Sequence, residues 1–199
     1  NYQTLEPGYS GPGPGSQGYV ERSEDGETVT LYLDAFTWSE ILRLVWGIGV
    51  LAALLLILVP NLRFAIHLEE RRRALEVPDC PLPVYEAEGL PSPCLFGLFR
   101  PAIYLTPEAA QLPEGQQRHI LAHELTHYRH RDHLWAVLRC LALVLHWYNP
   151  LVWLAVICSK RDGELACDEG TVLRLGEGER IPYGRTLVDL VARRPGDLI

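Results

Sequence analysis

Residues 117–128 read Gln-Arg-His-Ile-Leu-Ala-His-Glu-Leu-Thr-His-Tyr and contain the pattern His-Glu-x-x-His. Residues four apart in a helix lie on one face, so His123 and His127 can present two imidazoles to one metal ion. Glu124 then lies beside the open side of that ion, where it can take a proton from a bound water. The pattern predicts zinc-dependent peptide hydrolysis on a helix.

A third ligand is predicted in the run Arg-Asp-Gly-Glu-Leu-Ala-Cys-Asp at residues 161–168. In a helix, Glu164 and Asp168 share one face, which suits one carboxylate on the metal and one that holds a ligand histidine by its other nitrogen. A lone His-Glu-x-x-His also occurs by chance on solvated helices, but the downstream carboxylates favour a site. The predicted Zn²⁺ site consists of the ligands His123, His127 and Glu164, the general base Glu124 and the supporting carboxylate Asp168.

The net charge argues against a nucleic-acid-binding protein, and the cysteine pattern argues against a disulfide framework. The chain has 199 residues and a formal charge of −7, which argues against nucleic acid as a direct partner. Its five cysteines form no Cys-x-x-Cys pair, so we expect reduced thiols, with Cys167 packed rather than redox-active. A start at Asn1 and the lack of Met indicate a piece of a longer protein.

An apolar run predicts a transmembrane helix over residues 36–62. Leu44 to Val59 carries no charge, and Trp38 extends the run to about 22 residues, enough to cross a hydrocarbon layer about 30 Å thick. Length argues against a buried core helix, and the acidic upstream region argues against a signal peptide. Residues 1–35, rich in Gly, Pro and Ser, are expected to form a flexible extracytoplasmic loop.

Basic residues set the orientation of that helix. Downstream of it lie Arg63 and Arg71 to Arg73, whereas Arg43 and the distant Arg22 are the basic groups upstream. By the positive-inside rule the downstream side is cytoplasmic. Residues 63–199 are therefore expected to form a cytoplasm-facing peptidase domain, which begins with a charged helix from Leu62 to Leu75.

Short apolar runs separated by prolines predict a small β-sheet before the active helix, at residues 84–87, 95–99 and 102–105. In zinc peptidases an edge strand commonly binds the substrate backbone by strand addition. The candidate substrate-binding strand consists of Ala102, Ile103, Tyr104 and Leu105, with an ordinary core strand as the alternative.

A second apolar region, residues 134–158, is predicted to form a membrane-embedded helical hairpin. If His127 before it and Glu164 after it bind one ion, a single straight crossing is excluded, because it would place them on opposite sides of the bilayer. Asn149-Pro150 offers the break at which the chain turns back. The predicted fold class is an α+β membrane protein with an N-terminal transmembrane helix, a small β-sheet and a helical zinc-metallopeptidase core.

These features together resemble the BlaR/MecR-type membrane metallopeptidases, gluzincin-like antirepressors of beta-lactam resistance signalling. The resemblance extends roughly from Leu44 to Val191 and rests on residues 92–103, 121–127, 131–134, 146–153 and 164–168. It implies zinc at His123, His127 and Glu164, with Glu124 as the base. It also implies a hydrolase of the bacterial cell membrane that cleaves a cytoplasmic protein, such as a transcriptional repressor, or itself; a homodimer is left open.

Two other functions compete with this interpretation. One is a quality-control or processing protease similar to the HtpX or prenyl-protein type, although residues 96–101 favour the BlaR/MecR type. The other is an inert membrane receptor or scaffold, against which the intact Glu124 speaks. No penicillin-binding sensor domain is visible in these residues, so the stimulus is not predicted. The oxyanion-stabilising residue is also open, with Tyr183 and Arg185 as candidates.

Overall fold

The computed structural model describes residues 20–22, 29–31 and 37–192, and the chain divides into two compact units, Asn1–Gly49 and Val50–Ile199. In the first unit, β1 (Val20–Arg22) pairs antiparallel with β2 (Val29–Leu31). These six residues lie within the flexible loop predicted over residues 1–35, which stays a prediction. The rest of that prediction lies outside the described residues.

The apolar run forms a single long helix, α1 (Trp38–Arg71), of 34 residues. It begins in a capping box, in which the backbone N–H of Thr37 donates to the carboxylate of Glu40 over 2.8 Å. It continues through Pro60 and past the predicted boundary at residue 62. Among the described helices, α1 is the one whose length and composition would allow it to cross a membrane, with a mean hydropathy of 2.5.

Four strands follow: β3 (Arg72–Leu75), β4 (Val84–Ala87), β5 (Cys94–Phe96) and β6 (Ala102–Leu105). They form one sheet in the order β3-β4-β6-β5, in which only the β4–β6 pair is parallel. The predicted helical continuation from Leu62 is confirmed as far as Arg71 and is wrong for residues 72–75, which pair with β4 instead. Pairing with a neighbouring strand has overridden local helix propensity here.

The prediction that residues 102–105 form an edge strand is also wrong. Strand β6 lies between β4 and β5, so both of its edges are already hydrogen-bonded and cannot accept a substrate strand. Its side chains are buried, with Ile103 fully so. It is the core strand that was the alternative, and its Ile103 and Leu105 pack with Ile120 of the active helix.

The remaining helices are α2 (Pro107–Ala110), α3 (Glu114–His130), α4 (Asp132–Leu145), α5 (Pro150–Leu175) and α6 (Arg180–Ala192). Helix α3 stops at Arg131, which adopts the left-handed conformation with φ 59°. Asn149 caps α5, where its side chain accepts from the backbone N–H of Leu151 over 3.0 Å. A 3-10 turn, Glu177–Glu179, joins α5 to α6.

Helices α4 and α5 form a hairpin that turns between His146 and Asn149, as the sequence predicted from Asn149-Pro150. No side chain of α4 is buried, and large apolar side chains of both arms are exposed. Within residues 132–145 and 150–158 of the two arms, those with at least half of their surface exposed are Trp135, Leu138, Leu151, Leu154 and Ile157. The location of this hairpin in a membrane remains a prediction.

Candidate metal centre

The two histidines of α3 point their Nε2 atoms at a common point. These atoms of His123 and His127 lie 3.0 Å apart, and the ring planes are nearly perpendicular. Glu164 of α5 completes the group, with Oε2 3.8 Å from Nε2 of His123 and 3.6 Å from Nε2 of His127. Two ligands of a tetrahedral zinc ion with bonds near 2 Å stand about 3.3 Å apart. The three predicted ligands are therefore spaced as such an ion requires, and all three ligand atoms lie within 4.8 Å of one another.

Close packing of α5 on α3 brings Glu164 to the histidines. The fully buried Thr126 of α3 receives hydrogen bonds from Thr171 over 3.1 Å and from Arg174 over 2.8 Å, both on α5. Gly170 allows the close approach, because a Cβ there would lie 3.1 Å from the methyl group of Thr126. The spacing of the ligands is thus fixed by a packed helix pair.

Each histidine also has a carboxylate at its Nδ1 atom. Asp168 Oδ1 lies 3.2 Å from Nδ1 of His123, on the side where the sequence placed it. Tyr183 of α6 donates to the same oxygen over 2.6 Å. Asp132 Oδ2 lies 2.6 Å from Nδ1 of His127. Carboxylates at Nδ1 favour the tautomer that leaves Nε2 free for a metal.

The pKa shifts of the two histidines and of Glu164 agree with these hydrogen bonds. Burial alone would lower the pKa of His123, but hydrogen bonds to Asp168 and Glu164 together with the charge of Glu124 raise it to about 9. At His127, burial again lowers the pKa, but hydrogen bonds to Glu164 and Asp132 outweigh it, so the pKa is raised. Hydrogen bonds to both histidines hold the pKa of Glu164 well below its usual range. In the absence of a metal, the cluster retains protons where a cation would bind.

Glu124 is buried among these groups, with 6% of its surface exposed. Burial raises the pKa of its carboxyl, while the neighbouring histidines and a hydrogen bond from the backbone of Leu95 lower it; the net shift is upward. Leu95 belongs to β5, which lies at one edge of the sheet within the described part of the chain. The predicted base therefore contacts an edge strand directly.

The site opens into a cleft of about 1130 Å³. Its walls include the loop of residues 88–93, strand β5, and parts of α3, α5 and α6. All five predicted metal-site residues except Glu164 are at least partly buried, and Glu164 is exposed toward this opening. Both histidines line this cleft.

Comparison with known proteins identifies the family. The family model described as BlaR1 peptidase M56 matches residues 20–197. The chain belongs to this peptidase family. The resemblance predicted from the sequence is therefore confirmed.

Individual M56 relatives match about half of the chain. The Regulatory protein BlaR1 of Bacillus licheniformis is 31% identical over 97 residues, which are 49% of this chain and 16% of that protein. The Methicillin resistance mecR1 protein of Staphylococcus aureus is 25% identical over 103 residues, 51% of this chain and 18% of that protein. The match thus spans less than a fifth of each relative's length.

Three residues of this M56 chain have contacts that the sequence did not predict. Asp132, which belongs to neither of the two ligand patterns, contacts His127. His119, one turn before His123, is buried, with its ring nitrogens 2.9 Å from Thr186 and 3.1 Å from Glu179. The hydroxyl of Tyr183 faces Asp168 and the Nδ1 side of His123.

These positions also bear on the oxyanion candidates. The hydroxyl of Tyr183 lies 2.8 Å from Nδ1 of His123, so it is on the side of the ring away from Nε2 and does not suit that role. Arg185 is exposed and lines a separate cavity near His119. Neither candidate faces the predicted metal position, and no sequence pattern distinguishes such contacts, because they depend on how α6 docks.

Proposed function

We propose that this M56 chain is a membrane-embedded, zinc-dependent endopeptidase that cleaves a cytoplasmic protein, such as a transcriptional repressor, or itself in signal transduction. The observation that supports this most directly is the convergence of His123, His127 and Glu164 within 4.8 Å beside the buried Glu124. Two imidazoles, one carboxylate and an open cleft are the donor set of a catalytic zinc site. Membership in a peptidase family supports the same conclusion.

A zinc ion at this site would polarise the scissile carbonyl and lower the pKa of a bound water to about 7. The protein supplies the base: Glu124 takes a proton from the attacking water and passes it to the leaving amine. Its buried position beside both histidine ligands suits this role, because a general base must lie within reach of the proton that it takes.

The substrate is proposed to lie along β5. This strand is at the edge of the sheet, and Cys94 and Leu95 line the cleft beside Glu124. An extended polypeptide that pairs with β5 would place its carbonyl groups next to the base. The position of β5 supports a specificity for extended protein segments.

The bilayer is the second proposed partner. Helix α1 has the length and composition to cross it, and the exposed apolar side chains of the α4–α5 hairpin suit contact with lipid. With arginines on the downstream side of α1, the metal centre is proposed to face the cytoplasm of a bacterial cell.

The M56 assignment favours this signalling peptidase over the quality-control type, whereas the buried Glu124 argues against an inert receptor, which would need no base.

The proposal is tested by the zinc content of the purified chain. Wild type should carry about one zinc per chain, and Glu164→Ala should lose most of it because one of the three ligands is gone. Glu169→Ala is the matched control, since it makes the same change at an exposed position on the same helix. Full zinc occupancy in Glu164→Ala would refute the ligand assignment.

A further inference from the structure

Helix α3, which carries the two histidine ligands, ends in a turn that brings the carboxylate of Asp132 back to His127. Asp132 follows His127 by five positions, which in a continuous helix would place it about 140° away around the axis. Arg131 adopts a left-handed conformation instead, with φ 59° and ψ 36°, and the chain reverses there. This brings Oδ2 of Asp132 to 2.6 Å from Nδ1 of His127. A residue other than glycine is uncommon in this region of φ, and such conformations concentrate at functional sites.

A buried thiol holds the same carboxylate. Cys167 of α5 is fully buried, and its Sγ donates to Oδ2 of Asp132 over 3.2 Å. It also lies 3.1 Å from Nδ1 of His127. Cys167 follows Glu164 by three positions, so both project from neighbouring positions on one helix. Helix α5 therefore reaches His127 on both sides of the ring, with Glu164 at Nε2 and Cys167 at Nδ1.

These three groups could also be ligands of a second metal ion, since their donor atoms lie within 4.8 Å of one another. The distances argue otherwise. A separation of 2.6 Å between Asp132 and His127 is that of a charge-assisted hydrogen bond, whereas two zinc ligands stand about 3.3 Å apart. The cluster is thus a hydrogen-bonded network.

We propose that Asp132 and Cys167 are positioning residues for His127. Asp132 fixes the tautomer that presents Nε2 to the metal, and the thiol of Cys167 holds the Asp132 carboxylate in place. This inference rests on the proposed metal centre. It adds a second carboxylate–histidine pair to the one formed by Asp168 and His123.

The test measures zinc affinity of the purified full chain by competition with a chromophoric chelator, and the visible spectrum of the Co²⁺-loaded chain. Asp132→Asn should weaken zinc binding about 10- to 100-fold and alter the Co²⁺ spectrum, because His127 loses its charged partner. Cys167→Ala should weaken binding less, and Cys167→Ser should recover part of the loss, because its hydroxyl is still a donor. Asp162→Asn, which removes the same charge from an exposed position on α5, should leave both readouts unchanged.

The circular dichroism spectrum of the metal-free Asp132→Asn chain should match wild type even where loss of the pair with His127 lowers its unfolding temperature, and this separates positioning from misfolding. Wild-type affinity and Co²⁺ spectrum in that variant would overturn the inference while the proposed function stood. Binding of two zinc ions by wild type, one of them lost in Cys167→Ala, would overturn it in favour of a second metal site. Failure of the wild-type chain to bind zinc at all would overturn the proposed function as well.

Discussion

At the scale of single residues, each imidazole of the candidate metal centre has a carboxylate near both of its ring nitrogens. Glu164 lies on the Nε2 side of each ring, whereas Asp168 and Asp132 lie at Nδ1 of His123 and His127. These carboxylates increase the basicity of the imidazoles toward a cation. They also stabilise a proton when no cation is present, so zinc and protons compete for the site.

This competition predicts how zinc affinity depends on pH. Because the pKa of His123 is raised to about 9 in the metal-free chain, the ring is protonated at neutral pH and must lose its proton to bind zinc. Affinity should therefore rise by roughly tenfold per pH unit for each such proton, up to about pH 9. Calorimetry at pH 7 in buffers of different ionisation enthalpy should show release of at least about one proton.

The stability of the metal-free chain should change in the opposite direction. Because the pKa of His123 is higher in the folded chain than in the unfolded chain, His123 contributes to the free energy of unfolding. This contribution is fully present below the unfolded pKa of about 6.5 and is lost as the pH rises through about 9. Zinc affinity that stays constant from about pH 6 to 9, without proton release, would contradict the charge state assigned to His123.

The sequence could predict the site residues that lie in pairs at fixed spacing on a helix. His123 and His127 are four apart on α3, and Glu164 and Asp168 are four apart on α5, so helical periodicity alone indicates which side chains share a face. Asp132 could not be predicted in this way, because its contact depends on the left-handed turn at Arg131.

At the scale of elements, the close contact between α3 and α5 at Thr126 and Gly170, here called the seam, determines whether the ligands meet. Gly170→Leu should separate the helices, because even a Cβ at this position lies 3.1 Å from Thr126 and 3.4 Å from His130. We expect the free energy of unfolding to fall by about 1–3 kcal/mol and zinc affinity to fall with it, as measured by denaturant titration and chelator competition.

Gly163→Leu is the control for this prediction. Nothing lies within 4 Å of a Cβ built at Gly163, although it is on the same helix beside Glu164. Since glycine disfavours a helix interior, this change should raise the free energy of unfolding by about 0.5–1 kcal/mol. Equal effects of the two substitutions would show that the seam does not set the ligand spacing.

The order of the strands explains which element-scale predictions failed. Strand β6 pairs with both β4 and β5, although β5 precedes it in the chain, so its interior position follows from a crossover that local sequence does not encode. Strand β3 was missed because Arg72 and Arg73 lie in a charged run without alternation, and its pairing with β4 is a tertiary contact. The strands at β4 and β6 were predicted at the correct residues.

At the scale of the whole chain, helix lengths are consistent with the proposed topology. Helix α4 has 14 residues and spans about 21 Å, which is too short to cross a hydrocarbon layer of about 30 Å. Helix α5 returns over a similar length from Pro150 to Glu164. These lengths support the proposal that the hairpin enters and leaves the membrane on one side, as a shared site for His127 and Glu164 requires.

Cysteine labelling tests this topology. Cys80, Cys94, Cys140 and Cys158 are replaced, whereas Cys167 is retained because it is fully buried. Arg131→Cys and Ser159→Cys, at the open ends of the two hairpin arms, should both react with an impermeant reagent from the cytoplasmic side. Labelling of Ser159→Cys from outside the cell would show that the hairpin crosses the bilayer.

The most direct test of the whole account compares zinc content and proteolysis in Glu124→Gln. Glu124 lies beside the ligands without being one of them, so the variant should keep wild-type zinc while its cleavage of labelled casein falls by about 10²- to 10⁴-fold. Glu114→Gln, the same change at an exposed position on α3, should retain wild-type activity. Wild-type cleavage by zinc-loaded Glu124→Gln would contradict the assignment of Glu124 as the base.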